Sequence, residues 1–103
     1  MLRVPTNGPP THPGEMLQEE FLAPLGMSQT ELATRIEVPV QRINHLINRR
    51  RGVTPDTALR LARAFGTTAQ FWLNGQVVWD LYQEMHSRHA QAIERIKPIR
   101  KSG

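Results

Sequence analysis

A chain of 103 residues with 39% hydrophobic side chains supports one domain with a modest core. It has no cysteine, which excludes a disulfide framework and a thiolate zinc site. It also has no run of about 18 apolar residues that could span a membrane. The net charge is +4, unevenly spread: residues 1–34 sum to −3, residues 35–63 to +5 and the remainder to +2.

Met1–His12 holds Pro5, Pro9 and Pro10 with Asn7 and Gly8, and is expected to be a flexible arm. It lacks the apolar centre of a secretion signal, so the expected location is the cytoplasm, without a membrane partner. Pro13 opens a first helix running to about Ala23, with Thr11 or His12 near its cap. Leu17 and Phe21, flanked by Met16, Leu22 and Leu25, form its apolar face, and Glu15, Glu19 and Glu20 lie on or near the outer one.

Ser28-Gln29-Thr30-Glu31 is a capping box, so a second helix starts at Gln29 and buries Leu32, Ala33 and Ile36. Glu37-Val38 is a turn, and Pro39 suits the first position of a third helix. In that helix Ile43, Leu46 and Ile47 recur at helical spacing and face the core. Asn48 to Gly52 is a basic loop. Thr54-Pro55-Asp56 starts a fourth helix, Pro55 to Phe65, which buries Ala58, Leu61, Ala62 and Phe65 before Gly66 ends it. Thr68 caps a fifth helix reaching about His86, with Phe71 and Val78 available to the core. The sequence after it either extends that helix as far as Pro98 or forms a basic tail. The expected domain is residues 13–86, all-α with five helices, flanked by the arm (1–12) and the tail (87–103).

The second helix, tight turn and third helix meet the demands of a helix-turn-helix: shared apolar positions and a small residue, Ala33, where the helices cross. The turn position four after that alanine calls for a left-handed backbone, at which Glu37 costs roughly 1 kcal/mol relative to glycine. With Ile43, Leu46 and Ile47 inward, the candidates for reading base edges are Val40, Gln41, Asn44 and His45. Gln41 is able to bond adenine in a bidentate way and Val40 to contact a thymine methyl. Gln29, Arg42, Asn48, Arg49, Arg50 and Arg51 are candidates for phosphate contacts. The plain alternative for each is a solvated surface residue. The fifth helix has more apolar residues than one face requires, so Trp79, Leu81, Tyr82 and Met85 are candidates for a homodimer interface.

Enzymatic chemistry finds no support. His86 and His89 are three apart but lack a third ligand, and Glu19-Glu20 point in different directions. No phosphate loop or nucleophile–base pattern occurs, and no metal or cofactor is implied.

Several motifs resemble the HigA (VapI-like) antitoxins, a branch of the Cro/CI-type (lambda repressor-like) helix-turn-helix proteins. They are His12-Pro13-Gly14-Glu15, Glu19-Glu20-Phe21-Leu22, Pro24-Leu25-Gly26, Ser28-Gln29 with Glu31-Leu32-Ala33, and Arg42-Ile43-Asn44. Asn48, Thr54, Thr57-Ala58-Leu59-Arg60-Leu61-Ala62, Phe65-Gly66-Thr67-Thr68, Phe71-Trp72-Leu73-Asn74 and Asp80-Leu81 continue the match. Glu37, Gly75 and Arg49-Arg50 depart from the family pattern. The resemblance implies a homodimer that binds a palindromic operator, represses its own operon and neutralises a HigB toxin, a RelE-type mRNA-cleaving ribonuclease. Glu15, Glu19 and Glu20 are the candidate surface for that cationic toxin. The alternatives are a free-standing repressor without a toxin and a protein–protein adaptor that does not bind DNA.

Overall fold

The computed structural model describes residues 9–100, and these contain six helices and no strand. The first, α1, covers residues 13–25 and is made of a turn Pro13–Met16, a π-helical stretch Leu17–Leu22 and a last turn Ala23–Leu25. Then follow α2 (Gln29–Ile36), α3 (Val40–Ile47), α4 (Pro55–Phe65), α5 (Ala69–Met85) and a short α6 (Ala90–Glu94). The expected five become six because the chain leaves helical hydrogen bonding at His86 and resumes at Ala90, so the tail neither continues α5 nor stays wholly irregular. Most of the expected N-terminal arm and the last three residues of the tail lie outside the described residues.

The π-helical stretch has a physical cause in the sequence. Its wide turn brings residues five apart onto one face, so Leu17 and Leu22 are both buried. It also widens the helix just before Pro24, whose ring clashes with the carbonyl four residues earlier in a regular helix. Leu25, expected beside the core, is exposed at the end of α1, where Gly26 takes a left-handed φ of 61°.

The core is built from every long helix: Leu17, Leu22, Leu32, Ala33, Ile36, Ile43, Leu46, Ala58, Leu61 and Trp72 are all buried. The register of α5 differs from expectation. Thr68 caps its start through the Phe71 N–H, and where the helix packs on the bundle Trp72 is buried and Phe71 is 42% exposed. The buried indole N–H donates to Thr67 Oγ1 at 2.8 Å, so the one polar atom of Trp72 is satisfied. Phe21 and Phe65 lie against the same indole at ring-centroid distances of 5.1 and 6.4 Å. Val78, also expected in the core, is half-buried at its edge.

Two close approaches set α1 against the rest. A β-carbon on Gly14 would sit 1.9 Å from the Leu46 carbonyl oxygen, so glycine alone lets α1 cross the end of α3. His12, counted with the arm in the sequence, belongs to the fold. It is buried, and its Nδ1 accepts the Gly14 N–H at 2.9 Å as the cap of α1. Among the described residues no helix is long and apolar enough to cross a membrane.

Candidate nucleic-acid interface

The α2–turn–α3 unit is held from both ends. Ser28 Oγ accepts the Glu31 N–H and Glu31 Oε1 accepts the Ser28 N–H, which completes the capping box. At the other end Glu37 adopts φ 59° and ψ 51°, the left-handed conformation the turn requires. Arg60 on α4 supports this strained position. Its Nη1 donates to the Ile36 carbonyl at 2.7 Å and reaches the Glu37 carbonyl at 3.4 Å. In the sequence Arg60 is only one more positive charge, because nothing local relates it to a turn more than twenty residues away.

Helix α3 starts one residue later than expected. Pro39 has ψ 142° and therefore caps the helix rather than opening it, while its carbonyl accepts the Arg42 N–H. Ile43 and Leu46 are buried and Ile47 packs half-buried against the core, as the helical spacing predicts. On the opposite side Val40, Gln41 and Asn44 are exposed, and His45 is half-buried. Asn44 Nδ2 donates to Gln29 Oε1 at 3.2 Å, which joins the start of α2 to the outward face of α3.

The expected phosphate-binding set separates into two groups. Asn48, Arg50 and Arg51 are exposed, and neither arginine makes an ion pair among the described residues. The loop carrying them curls back, with the N–H groups of Arg50 and Arg51 both donating to the His45 carbonyl. Arg42 and Arg49 are engaged within the chain instead. Arg42 pairs with Asp56 at 2.6 Å, where its hydrogen bond, ahead of that from Arg60, lowers the pKa of the Asp56 carboxyl. Arg49 takes a left-handed φ of 61°, pairs with Glu15 at 2.7 Å and lies over the Trp79 ring at 5.4 Å.

That last contact changes the reading of Trp79. Expected at a dimer interface, it is half-buried within its own chain, with Arg49 on its face and the His12 ring edge-on at 4.9 Å. Leu81 and Met85 are exposed, and Tyr82 is half-buried and stacked on His86. Of the acidic candidates, Glu19 and Glu20 are exposed, whereas Glu15 is occupied by Arg49.

A further residue, Gln76, bears on the interface and was not singled out in the sequence. Its Oε1 accepts the buried Val53 N–H at 2.9 Å and its Nε2 donates to Asp80, so α5 fixes the end of the basic loop. Only its position, one helical turn after the inward Trp72 and Leu73, hints at an inward role. Among the described residues no three side chains come together as metal ligands.

Two helices joined by a left-handed turn, the second presenting polar residues outward beside exposed arginines, define a helix-turn-helix DNA-binding fold of the Cro/CI type. A family model described as Helix-turn-helix matches residues 18–72. The Virulence-associated protein I of Dichelobacter nodosus is 47% identical over 91 residues, covering 88% of this chain and 82% of that protein. The antitoxin HigA-1 of Vibrio cholerae serotype O1 is 38% identical over 91 residues, covering 87% and 84%. A solved structure of the Pseudomonas aeruginosa antitoxin HigA with the higBA promoter superposes with a TM-score of 0.82 at 37% identity, covering 87% of this chain and 98% of that one. The chain belongs to this helix-turn-helix family, in its HigA (VapI-like) antitoxin branch. Further relatives are named as HTH-type transcriptional regulators, in Haemophilus influenzae and Escherichia coli.

Proposed function

We propose that this protein is a cytoplasmic antitoxin and autorepressor, which binds palindromic operator DNA as a homodimer and neutralises a HigB/RelE-type toxin. The observation that carries the DNA part is the exposed face of α3, where Val40, Gln41 and Asn44 stand beside Arg50 and Arg51. A recognition helix in the major groove uses its first turns on base edges, and flanking cations grip the backbone. Arg42 and Arg49 are assigned to internal ion pairs, so phosphate binding falls to Arg50, Arg51, Asn48 and the Gln29 end of α2. A single reading helix has too few contacts for useful affinity, and a two-fold dimer doubles them. The dimer reading rests on Leu81 and Met85, apolar and exposed on α5. For a cationic toxin, Glu19 and Glu20 on α1 are the available partners.

Operator titration tests the DNA reading. Gln41→Ala is expected to cost roughly 1–3 kcal/mol and relax sequence choice at one base pair. Arg50→Ala is expected to weaken all sequences alike and to reduce the slope of log affinity against log salt by about one. If neither variant alters binding, α3 is not the reader. Co-expression with the toxin open reading frame beside the gene tests the rest. Glu19→Lys with Glu20→Lys is expected to lose the toxin while keeping the operator. A gene without such a neighbour would indicate a free-standing repressor.

A further inference from the structure

Helix α5 carries an exposed apolar strip of Val77, Leu81 and Met85, and the strip continues beyond both ends of these residues. Towards the start of α5 it runs into a groove of about 320 Å³ between α1 and α5, lined by Pro13, Met16, Phe71, Trp72, Gly75 and Val78. Towards the C-terminus it passes to Ile93, which meets Met85 in a shallow cleft, and then to Ile96 and Ile99, 72% and 95% exposed. An unfilled apolar groove thus lies at one end of the strip and unburied isoleucines at the other.

Charge follows the same division. Residues 13–28 carry no cation, and with Glu15 paired to Arg49 the exposed Glu19 and Glu20 leave α1 acidic. Residues 88–100 carry Arg88, Arg95, Lys97 and Arg100 against Glu94, interleaved with the isoleucines. The two ends complement one another in polarity and sign. Within one chain they lie at opposite ends of a 17-residue helix, about 25 Å apart.

A two-fold axis brings them together. The strip centres on Leu81, and antiparallel pairing of two α5 helices about that point places Val77 of one protomer opposite Met85 of the other, so the tail that follows Met85 emerges beside the partner's groove. We propose that residues 90–100 of each protomer lie along the α1–α5 groove of a second copy, with isoleucines in the groove and cations against Glu19 and Glu20. This inference rests on the homodimer reading above and adds the exchanged tail to it. DNA is the less suitable occupant, since phosphates give three exposed isoleucines nothing to bury against. A cationic toxin and the partner's cationic tail then compete for α1.

The absence of cysteine makes the test direct. Met16→Cys and Ile96→Cys are made in separate, differently tagged chains, co-expressed and oxidised. The expected result is a disulfide-linked mixed dimer at least tenfold more abundant than cross-linked species from either variant alone, reduced severalfold when Glu19→Gln and Glu20→Gln accompany Met16→Cys. A protein that sediments as a dimer but gives no mixed cross-link overturns the exchanged tail and leaves the dimer intact. Sedimentation as a monomer overturns both. No mixed cross-link, together with a fall of about three in the operator salt slope for Arg95→Gln, Lys97→Gln, Arg100→Gln, assigns the tail to DNA and overturns the proposal.

Discussion

At Gly14 the backbone of α1 meets the Leu46 carbonyl so closely that no β-carbon fits, and the atoms in the way are main chain. Gly14→Ala is therefore expected to cost at least about 3 kcal/mol, the upper end of core overpacking, as a lowered urea midpoint. Beside it, His12 links the fold to pH. Burial, then the nearby Arg49 charge, lowers the pKa of its imidazole below the ordinary 6.5, and its Nδ1 acts as an acceptor for Gly14 N–H. The unfolded chain thus binds a proton at His12 that the folded chain resists. Stability contributed here is present above pH 6.5 and is lost as pH falls below it. His12→Asn, which keeps an acceptor at the cap, should flatten urea midpoints measured between neutral and mildly acidic pH. An unchanged slope would place the effect on another group. Gly14 and His12 stand within one recognisable motif, yet their burial was not legible there, because the surface that covers them comes from α3 and α5.

At the scale of elements, the local signals of the chain were strong where capping chemistry is local. Ser28, Thr54 and Thr68 each accept the backbone N–H three residues on, and α2, α4 and α5 begin where those residues require. The turn between α2 and α3 depends on a distant group. Arg60 donates to the Ile36 carbonyl, and Asp56 holds both Arg60 and Arg42. Arg60→Ala is expected to cost about 1–2 kcal/mol, since it leaves a carbonyl at the end of α2 without its charged donor. Operator affinity should fall with it, because the angle between α2 and α3 depends on that turn. Lysine at this position should rescue only in part, lacking the planar fork that spans Asp56 and the carbonyl. Stability unchanged in Arg60→Ala would show that Glu37 holds its left-handed conformation unaided.

The described residues form an elongated body, 56 × 29 × 23 Å, in which the last turns of α5 and the tail carry exposed apolar residues while the start of α5 packs in the core. A helix with an exposed apolar strip is costly in water unless something covers it. Leu81→Asp should leave the monomer's fold intact, since Leu81 is 42% exposed, yet give monomers in sedimentation with operator affinity at least tenfold lower. A persistent dimer would place the interface elsewhere. Charge is also arranged at this scale: an acidic α1 on one side, exposed Arg50 and Arg51 beside α3, and a basic tail beyond α5.

Periodicity and capping residues alone determined the helix-turn-helix, the inward Ile43 and Leu46, the outward Val40, Gln41 and Asn44, and the left-handed turn at Glu37. The helical spacing and the caps depend on contacts within a few residues, which the chain encodes directly, whereas the Arg60 support of the Glu37 turn came only with the packing of α4. Tertiary structure alone decided that Trp72 and not Phe71 enters the core, that Arg42 and Arg49 serve ion pairs with Asp56 and Glu15, and that Trp79 is occupied by His12 and Arg49. A side chain's partner is set by which distant helix packs over it, and an arginine bound to a carboxylate reads in one dimension like an arginine left free for phosphate.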